Sequence, residues 1–527
     1  MDTTDVPPSG RAIHVPAGGD FQAALNAARP GDVITLEAGA MFTGPFTLPR
    51  KQGSGWISVR TSAPDSQLPP PGARVDPSFA RVMPKLVAAS GAVLKTAPRA
   101  HHYRFIGIEI HPTPGTFLYN LVELGVEVRP RVSRFPFTLF GLGASEDPTD
   151  QIPHHIIFDR CYLHGDPKKG ARRGIALNSA YTAVIDSYLA DFKEAGADSQ
   201  AIAGWNGPGP FKIVNNYLEA AGENLMFGGA DPSIPNLVPS DIEIRRNHFF
   251  KPLSWRVGDP AYAGTAWTVK NLFELKNARR VLVDGNLFEH NWVASQNGFA
   301  ILFTVRNQDG TAPWSAVEDV TFTNNVVRHS ARGMNIHGFD DSFPSQQTRR
   351  ILTRNNLFED IVAARWGGGC CAGLFQIGSA TADVVVDHNT AIHADSVITA
   401  DGAPNTGFVY TNNLTPHNEY GIAGSGTGTG RPTLERYFPQ AIVSRNVLVG
   451  GLPRLYPPEN FFPRSLEEVG FVDRAQGDYR LASSSPYRRA GTDGNDPGVD
   501  HHQLSAAMGN TPPSRGPALP LPPHRRK

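Results

Sequence analysis

One short unit recurs down this chain, and it limits the possible fold more than any other feature. A strand-like apolar run is followed by a polar pair and then an apolar pair. It reads IIFDRCYL (156–163), AVIDSYL (183–189), KIVNNYL (212–218), IEIRRNHF (242–249), VLVDGNLF (281–288) and VTFTNNVV (320–327). It continues as ILTRNNLF (351–358), VVVDHNTA (384–391), FVYTNNLT (408–415) and AIVSRNVL (441–448). The second polar position holds Cys161, Ser187, Asn216, Asn247, Asn286, Asn325, Asn356, Asn389, Asn413 and Asn446, at spacings of 24 to 39 residues. One such unit cannot bury its apolar face alone, whereas stacked copies can, so the pattern predicts a solenoid whose rungs carry loops of different length.

The asparagine column has a physical reason. Asn tolerates left-handed backbone at a turn, and its amide can bond to the equivalent amide one rung away. Stacked strands lie about 4.8 Å apart, so one Asn per coil makes a continuous ladder. This pattern resembles the pectate-lyase-like superfamily. The resemblance covers roughly residues 12–490 and implies an all-β fold: a single-stranded right-handed parallel β-helix (solenoid) with an N-terminal capping helix and long loops on one face. The segment AIHVPAGGDFQAALNAARPGDVITLEAGAMF (12–42) supplies that helix, Phe21 to Ala28. Residues 1–11 are expected to be a flexible N-terminus, and 477–500 a terminal coil and turn. Residues 491–527 form a C-terminal turn and Pro-rich basic tail, with 515–527 disordered. The Pro-rich stretch 64–86 reads as a surface loop.

Composition narrows the function. Lys+Arg and Asp+Glu both number 49, and a zero net charge argues against nucleic acid as a partner. No apolar run is long enough to span a bilayer. Three cysteines, Cys161, Cys370 and Cys371, are too few for a disulfide framework or a zinc site. The N-terminus shows no signal peptide, so either a mature extracellular or periplasmic form or a cytoplasmic one is expected. A monomer is expected.

A second, more polar set of strands precedes each ladder unit: GIALNS (174–179), AIAGWNG (201–207), NLMFGG (224–229), LFELKN (272–277), LFTVRN (302–307), GMNIHG (333–338) and LFQIGS (374–379). Alternate strand residues point the same way. Leu275, Val305 and Ile336 then face the core. One outward column holds Glu274, Thr304, Asn335 and Gln376; the other holds Asn178, Asn206, Gly228, Lys276, Arg306, His337 and Gly378. Like charges on neighbouring rungs disfavour one another, so Lys276, Arg306 and His337 form a candidate catalytic column rather than an ordinary polar face. Glu274 is a counter-charge or a metal ligand. Arg172, Arg173, Gln200, Trp205 and Asn206 lie on flanking segments as candidate substrate contacts, with Trp205 either a sugar platform or a packed residue. Residues 230–270 read as the longest insertion, forming a groove wall.

Such a groove suits an acidic polysaccharide or oligosaccharide. Within the superfamily the chain is similar to the chondroitinase B/alginate lyase group, which cleaves uronate-containing glycans by β-elimination. That resemblance implies Lys276 as base, Arg306 as carboxylate neutraliser or acid, and a Ca²⁺ ion held by Glu223, Asn224 and Glu274. The chain departs from the group's pattern: Lys276-Asn277 stands where the group has Lys-Ser, and Arg306-Asn307-Gln308 where it has Arg-His-Gly. Two other readings stay open. One is a β-helix glycoside hydrolase using Asp198, Glu223 or Glu274; the other is a non-catalytic glycan-binding or surface protein. Asp340-Asp341 reads as a loop pair.

Overall fold

The structure, a computed structural model, describes residues 1–125, 148–369 and 373–509. Cys370, Cys371 and the tail at 515–527 lie outside the described residues. Three long parallel sheets run the length of the molecule. The first has 14 strands, from Ala12–Val15 to Ile442–Ser444; the second has 13, from Met41–Thr43 to Val447–Val449; the third has 12, from Phe46–Leu48 to Ile422–Gly424. One coil visits each sheet in turn, as in Ser240–Arg245, His248–Phe250, Phe273–Leu275 and then Ala278–Asp284 of the next coil. This is the right-handed parallel β-helix expected from the repeat.

Strict register makes the core a set of columns. Val184, Ile213, Ile244, Val283 and Phe322 pair successively in the first sheet, and all are fully buried. Phe249 and Phe288 stack with centroids 4.3 Å apart in the second. The helix Phe21–Ala27 covers the open first coil, capped by Asp20 and burying Phe21 against Phe46.

At the corner between the first and second sheets, each Asn Oδ1 accepts two bonds from the Asn of the coil before it. Asn216, Asn247, Asn286, Asn325, Asn356, Asn389, Asn413 and Asn446 are linked this way, and Asn460 continues the series. The left-handed backbone, however, belongs to the residue before each Asn: Asn215 (φ 59°), Arg246 (54°), Asn324 (54°), Asn355 (57°) and His388 (52°). The turn residue bends the chain between sheets, and the Asn after it is free to point along the stack. Cys161 begins the column as a buried thiol against the Phe105 carbonyl, its pKa pushed up to about 12 by burial.

Three stretches differ from the sequence expectation. Residues 64–86 do not merely loop: Leu68, Val75, Val82 and Met83 form an apolar cluster with Ile106, Tyr162 and Tyr188 on the outside of the barrel. The supposed insertion 230–270 is two segments, divided by the strands Ser240–Arg245 and His248–Phe250. Past the last coil, Phe471–Asp473 and Asp478–Leu481 pair antiparallel, and the helix His501–Met508 lays Leu504 and Met508 on Leu287, Val326 and Leu357 of the second sheet. At the other end, Arg104 and Lys212 bond Thr3.

The second sheet also carries a pH-sensitive contact. Glu289 accepts from Arg328 Nε at 2.9 Å and lies 3.0 Å from His248 Nε2. Burial opposes its charge, but His248 and Arg328 hold the carboxyl down to about 2. A depressed carboxyl stabilises the fold above its unfolded pKa of about 4.3, and that stability is lost as pH falls through the folded value. The contribution is about 3 kcal/mol. Urea titrations at pH 7 and pH 3 should therefore show a shallower acid loss for Glu289→Gln than for the wild type; equal losses would refute this assignment.

Candidate functional site

The third sheet positions the candidate residues. Leu225, Phe273, Ile301, Met334 and Phe375 pair in sequence along it and face the core. The outward column beside them is Met226, Glu274, Leu302, Asn335 and Gln376. One rung thus departs from the sequence alignment by two residues: Leu302, not Thr304, lies beside Glu274, and Thr304, not Arg306, pairs with His337. The run FAILFTV is apolar but for Thr304, so it offers too little alternation to set a register. Arg306 falls two residues beyond the strand Phe299–Thr304, with its backbone N–H donating to the Lys276 carbonyl at 2.9 Å. Val305 is nevertheless buried, as expected.

Around Glu274 the structure gathers a buried, charge-paired centre. Lys276 Nζ stands 3.7 Å from Glu274 Oε1. Gln200 Nε2 donates to Glu223 Oε2 at 2.8 Å, and Lys270 Nζ bridges Glu223 Oε1 (3.5 Å) and Asp198 Oδ2 (2.5 Å). Burial, only partly offset by Lys276 and reinforced by Glu223, holds the Glu274 carboxyl above its ordinary range. Burial opposes the Lys270 charge, but Glu223 and Asp198 raise its pKa. Gly228 abuts Lys276: a Cβ there would come 2.7 Å from Lys276 Cβ, so the close approach needs glycine.

A second cluster lies on the following coils. Asp341 accepts from His337 Nε2 at 2.7 Å and from Arg306 Nη2 at 3.2 Å. Asp340 takes Arg306 Nη1 at 3.5 Å and the Asn307 N–H at 2.7 Å. Burial works against the Asp341 charge, but His337 and Arg306 hold its pKa down. The Asp340-Asp341 pair, read from sequence only as a loop, is what orients both candidate catalytic residues.

The basic end is more structural. Arg172 forms a bidentate pair with Glu194 and sits 4.3 Å from the Tyr119 ring centroid. Arg173 donates to Gln200 Oε1 at 2.8 Å and lies over Trp205. Trp205 is buried against Ala176 and Ala203. Asn206 exchanges two bonds with Ser233, tying down the neighbouring loop. Gln376 Nε2 donates to Asp401 at 3.3 Å.

The metal-ligand set divides. Asn224 is turned inward, its Nδ2 on the Leu218 and Phe250 carbonyls and its Oδ1 taking Lys251 Nζ at 2.9 Å. Lys251 also donates to the Ala220, Ala221 and Gly222 carbonyls at 2.6–2.9 Å. Burial pulls this ammonium down to about 7, yet four acceptors and no donor around Nζ favour keeping its proton. Asn224 therefore has no oxygen to offer an outer ion. Glu223 Oε1, 3.5 Å from Lys270 Nζ, and Glu274 Oε2 are both buried without a hydrogen-bond partner. Once both carboxyls are ionised, two oxygens of this kind would suit a hard cation such as Ca²⁺.

Sequence reasoning missed Lys270 and Lys251. Both lie in loop sequence without periodicity, and only the return of the coil brings them to the acidic pair. A cavity of about 560 Å³ lies elsewhere, where Arg354, His388 and Asp493 meet the C-terminal segment. Asp493, Asp496 and Asp500 line it together with Arg354, Arg480 and Arg488, and no lysine among the described residues does.

Similarity to solved structures agrees with this architecture. A PL6 family alginate lyase, AlyGC, superposes with a TM-score of 0.55 at 12% identity over 97% of this chain. This chain spans 59% of that lyase's length. A second PL6 alginate lyase, solved as a complex with a trisaccharide, gives 0.52 at 9% identity over 93% of each chain. The catalytic unit of a GH87 α-1,3-glucanase from Streptomyces thermodiastaticus gives 0.51 at 13% identity, over 88% of this chain and 72% of that one. No family model matches, and no curated protein matches in sequence. What these structures share with this chain is the parallel β-helix fold. No helix among the described residues is long and apolar enough to cross a membrane.

Proposed function

We propose that the protein is a carbohydrate-active enzyme, a polysaccharide lyase that cleaves an acidic, uronate-containing glycan by β-elimination along its third sheet. The observation that carries this reading is Lys276 poised 3.7 Å from buried Glu274, next to the Arg306–Asp341–His337 cluster. Arg306 is one-third exposed and holds the substrate carboxylate, which makes the adjacent carbon acid stronger. Lys276 Nζ, as the uncharged amine, takes up that proton, the C–H electron pair becomes the new C=C bond, and the bond to the glycosidic oxygen breaks. His337, fixed by Asp341, returns a proton to the departing oxygen. Glu223 and Glu274 are the residues that would hold Ca²⁺, which would supply further positive charge for the carboxylate. The alginate lyases with which the chain shares its fold support the substrate class. A polymeric substrate of this kind places the protein outside the cytoplasm.

Incubation with alginate, pectate and glycosaminoglycans should release unsaturated, UV-absorbing ends from one of them. New reducing ends without that chromophore would replace the lyase with a hydrolase. Two observations favour that second reading: the raised Glu274 carboxyl beside Glu223 resembles an acid–base pair, and the glucanase shares the fold.

A further inference from the structure

Two histidine pairs lie on adjacent coils of the first sheet, HHYRFI (101–106) and HHIIFD (154–159), with His101 paired to His154. Neighbouring strand residues ordinarily point to opposite faces. Here His102 (φ 59°) and His155 (φ 55°) adopt the left-handed backbone of this corner, which brings both rings of each pair together. His101 Nδ1 lies 2.8 Å from His102 Nδ1, and His154 Nδ1 lies 2.7 Å from His155 Nδ1. Across the coils the rings are parallel, with His101 on His154 at 4.9 Å and His102 on His155 at 4.5 Å. Tyr181 continues that second stack at 4.6 Å, and Trp56 meets His102 edge-on.

The result is a half-exposed patch in which four imidazoles converge, with no carboxylate in the group among the described residues. One ligand nitrogen from each of His102, His154 and His155 lies within 4.8 Å of the others. Ligands bound at about 2.1 Å to one ion can be at most roughly 4.2 Å apart, so small ring rotations close the set. His101 Nε2 lies 3.1 Å from the Lys51 carbonyl and donates to it. That bond leaves a lone pair on Nδ1, aimed into the cluster, which is how an outer partner commonly orients a metal-binding imidazole. A competing group, Glu109, His111 and His164, is already satisfied internally, with Lys85 2.9 Å and His164 3.1 Å from Glu109.

We propose that His102, His154 and His155, supported by His101, form a binding site for a divalent transition-metal ion of the Zn²⁺, Ni²⁺ or Cu²⁺ type on the first sheet, separate from the third-sheet groove. All-imidazole donors favour these ions over Ca²⁺ or Mg²⁺. An ion here would staple two neighbouring coils and stabilise the folded state by mass action.

The test uses the untagged full chain stripped with a chelator and titrated calorimetrically with Zn²⁺, and with Cu²⁺ under electron paramagnetic resonance. One equivalent should bind with micromolar or tighter affinity, with nitrogen hyperfine structure on the copper signal and a raised melting temperature. The His102→Asn/His155→Asn double variant, which keeps a residue tolerant of positive φ, should bind at least 100-fold more weakly while retaining its circular dichroism spectrum. A His111→Asn variant should bind as the wild type does. Millimolar or multisite binding by the wild type overturns the proposal. So does undiminished binding by the double variant, or loss of the tight site in His111→Asn.

Discussion

Lys276→Ala is expected to lower turnover of the glycan substrate by about 10² to 10⁴, the range that a positioned general base contributes. Truncation removes the group assigned to take the proton on that rung, and it leaves Glu274, almost fully buried, without the Lys276 nitrogen 3.7 Å away. Two effects must therefore be separated. A loss of turnover at unchanged KM and little-changed melting temperature marks a role in the chemical step. A large drop in melting temperature with weak activity loss marks Lys276 as a structural counter-charge and sinks the catalytic assignment. Glu274→Gln distinguishes them further: it removes the pair's charge yet keeps Lys276, so it should retain more activity than Lys276→Ala. Asp341→Asn should act differently again, because Arg306 and His337 lose a shared anchor while remaining present.

The second large effect concerns the asparagine column. Asn286 Oδ1 accepts the Asn247 N–H at 2.9 Å and its Nδ2 at 3.0 Å, while Asn286 Nδ2 donates to the Ile244 carbonyl and to Asn325 Oδ1. Asn286 is fully buried, so Asn286→Ala leaves several polar groups without water or a partner. At about 1–3 kcal/mol for each buried group left unmade, the cost is about 3–6 kcal/mol. That is a large share of the 5–15 kcal/mol typical of a folded domain. Stability in a solenoid is a sum over coils and their interfaces, so the unfolding transition should also broaden. Urea unfolding followed by circular dichroism measures both. A change below about 1 kcal/mol would show that the column follows from the fold without supporting it.

Sequence alone determined the architecture, because a stacked coil repeats the same physical demand. Every rung needs an inward apolar run and a turn that redirects the chain, so Ile213, Ile244, Val283 and the Asn column recur where a single copy would mean nothing. The outward face has no such repetition. Glu274, Lys276 and His337 were legible because they break an otherwise plain strand. Arg306 was misplaced by two residues because its rung is apolar but for Thr304 and alternation could not fix the register.

What only the tertiary structure decided is which polar groups meet. Lys270 reaches Glu223 and Asp198 across 47 and 72 positions of sequence, and Lys251 takes the oxygen of Asn224 from inside. His101 and His154 become neighbours only when two coils stack. These contacts depend on the lengths of the loops between strands, and loop length leaves no periodic trace in the chain. Charge pairing in the site is thus set by the closure of each coil, while the coil itself was written in the repeat.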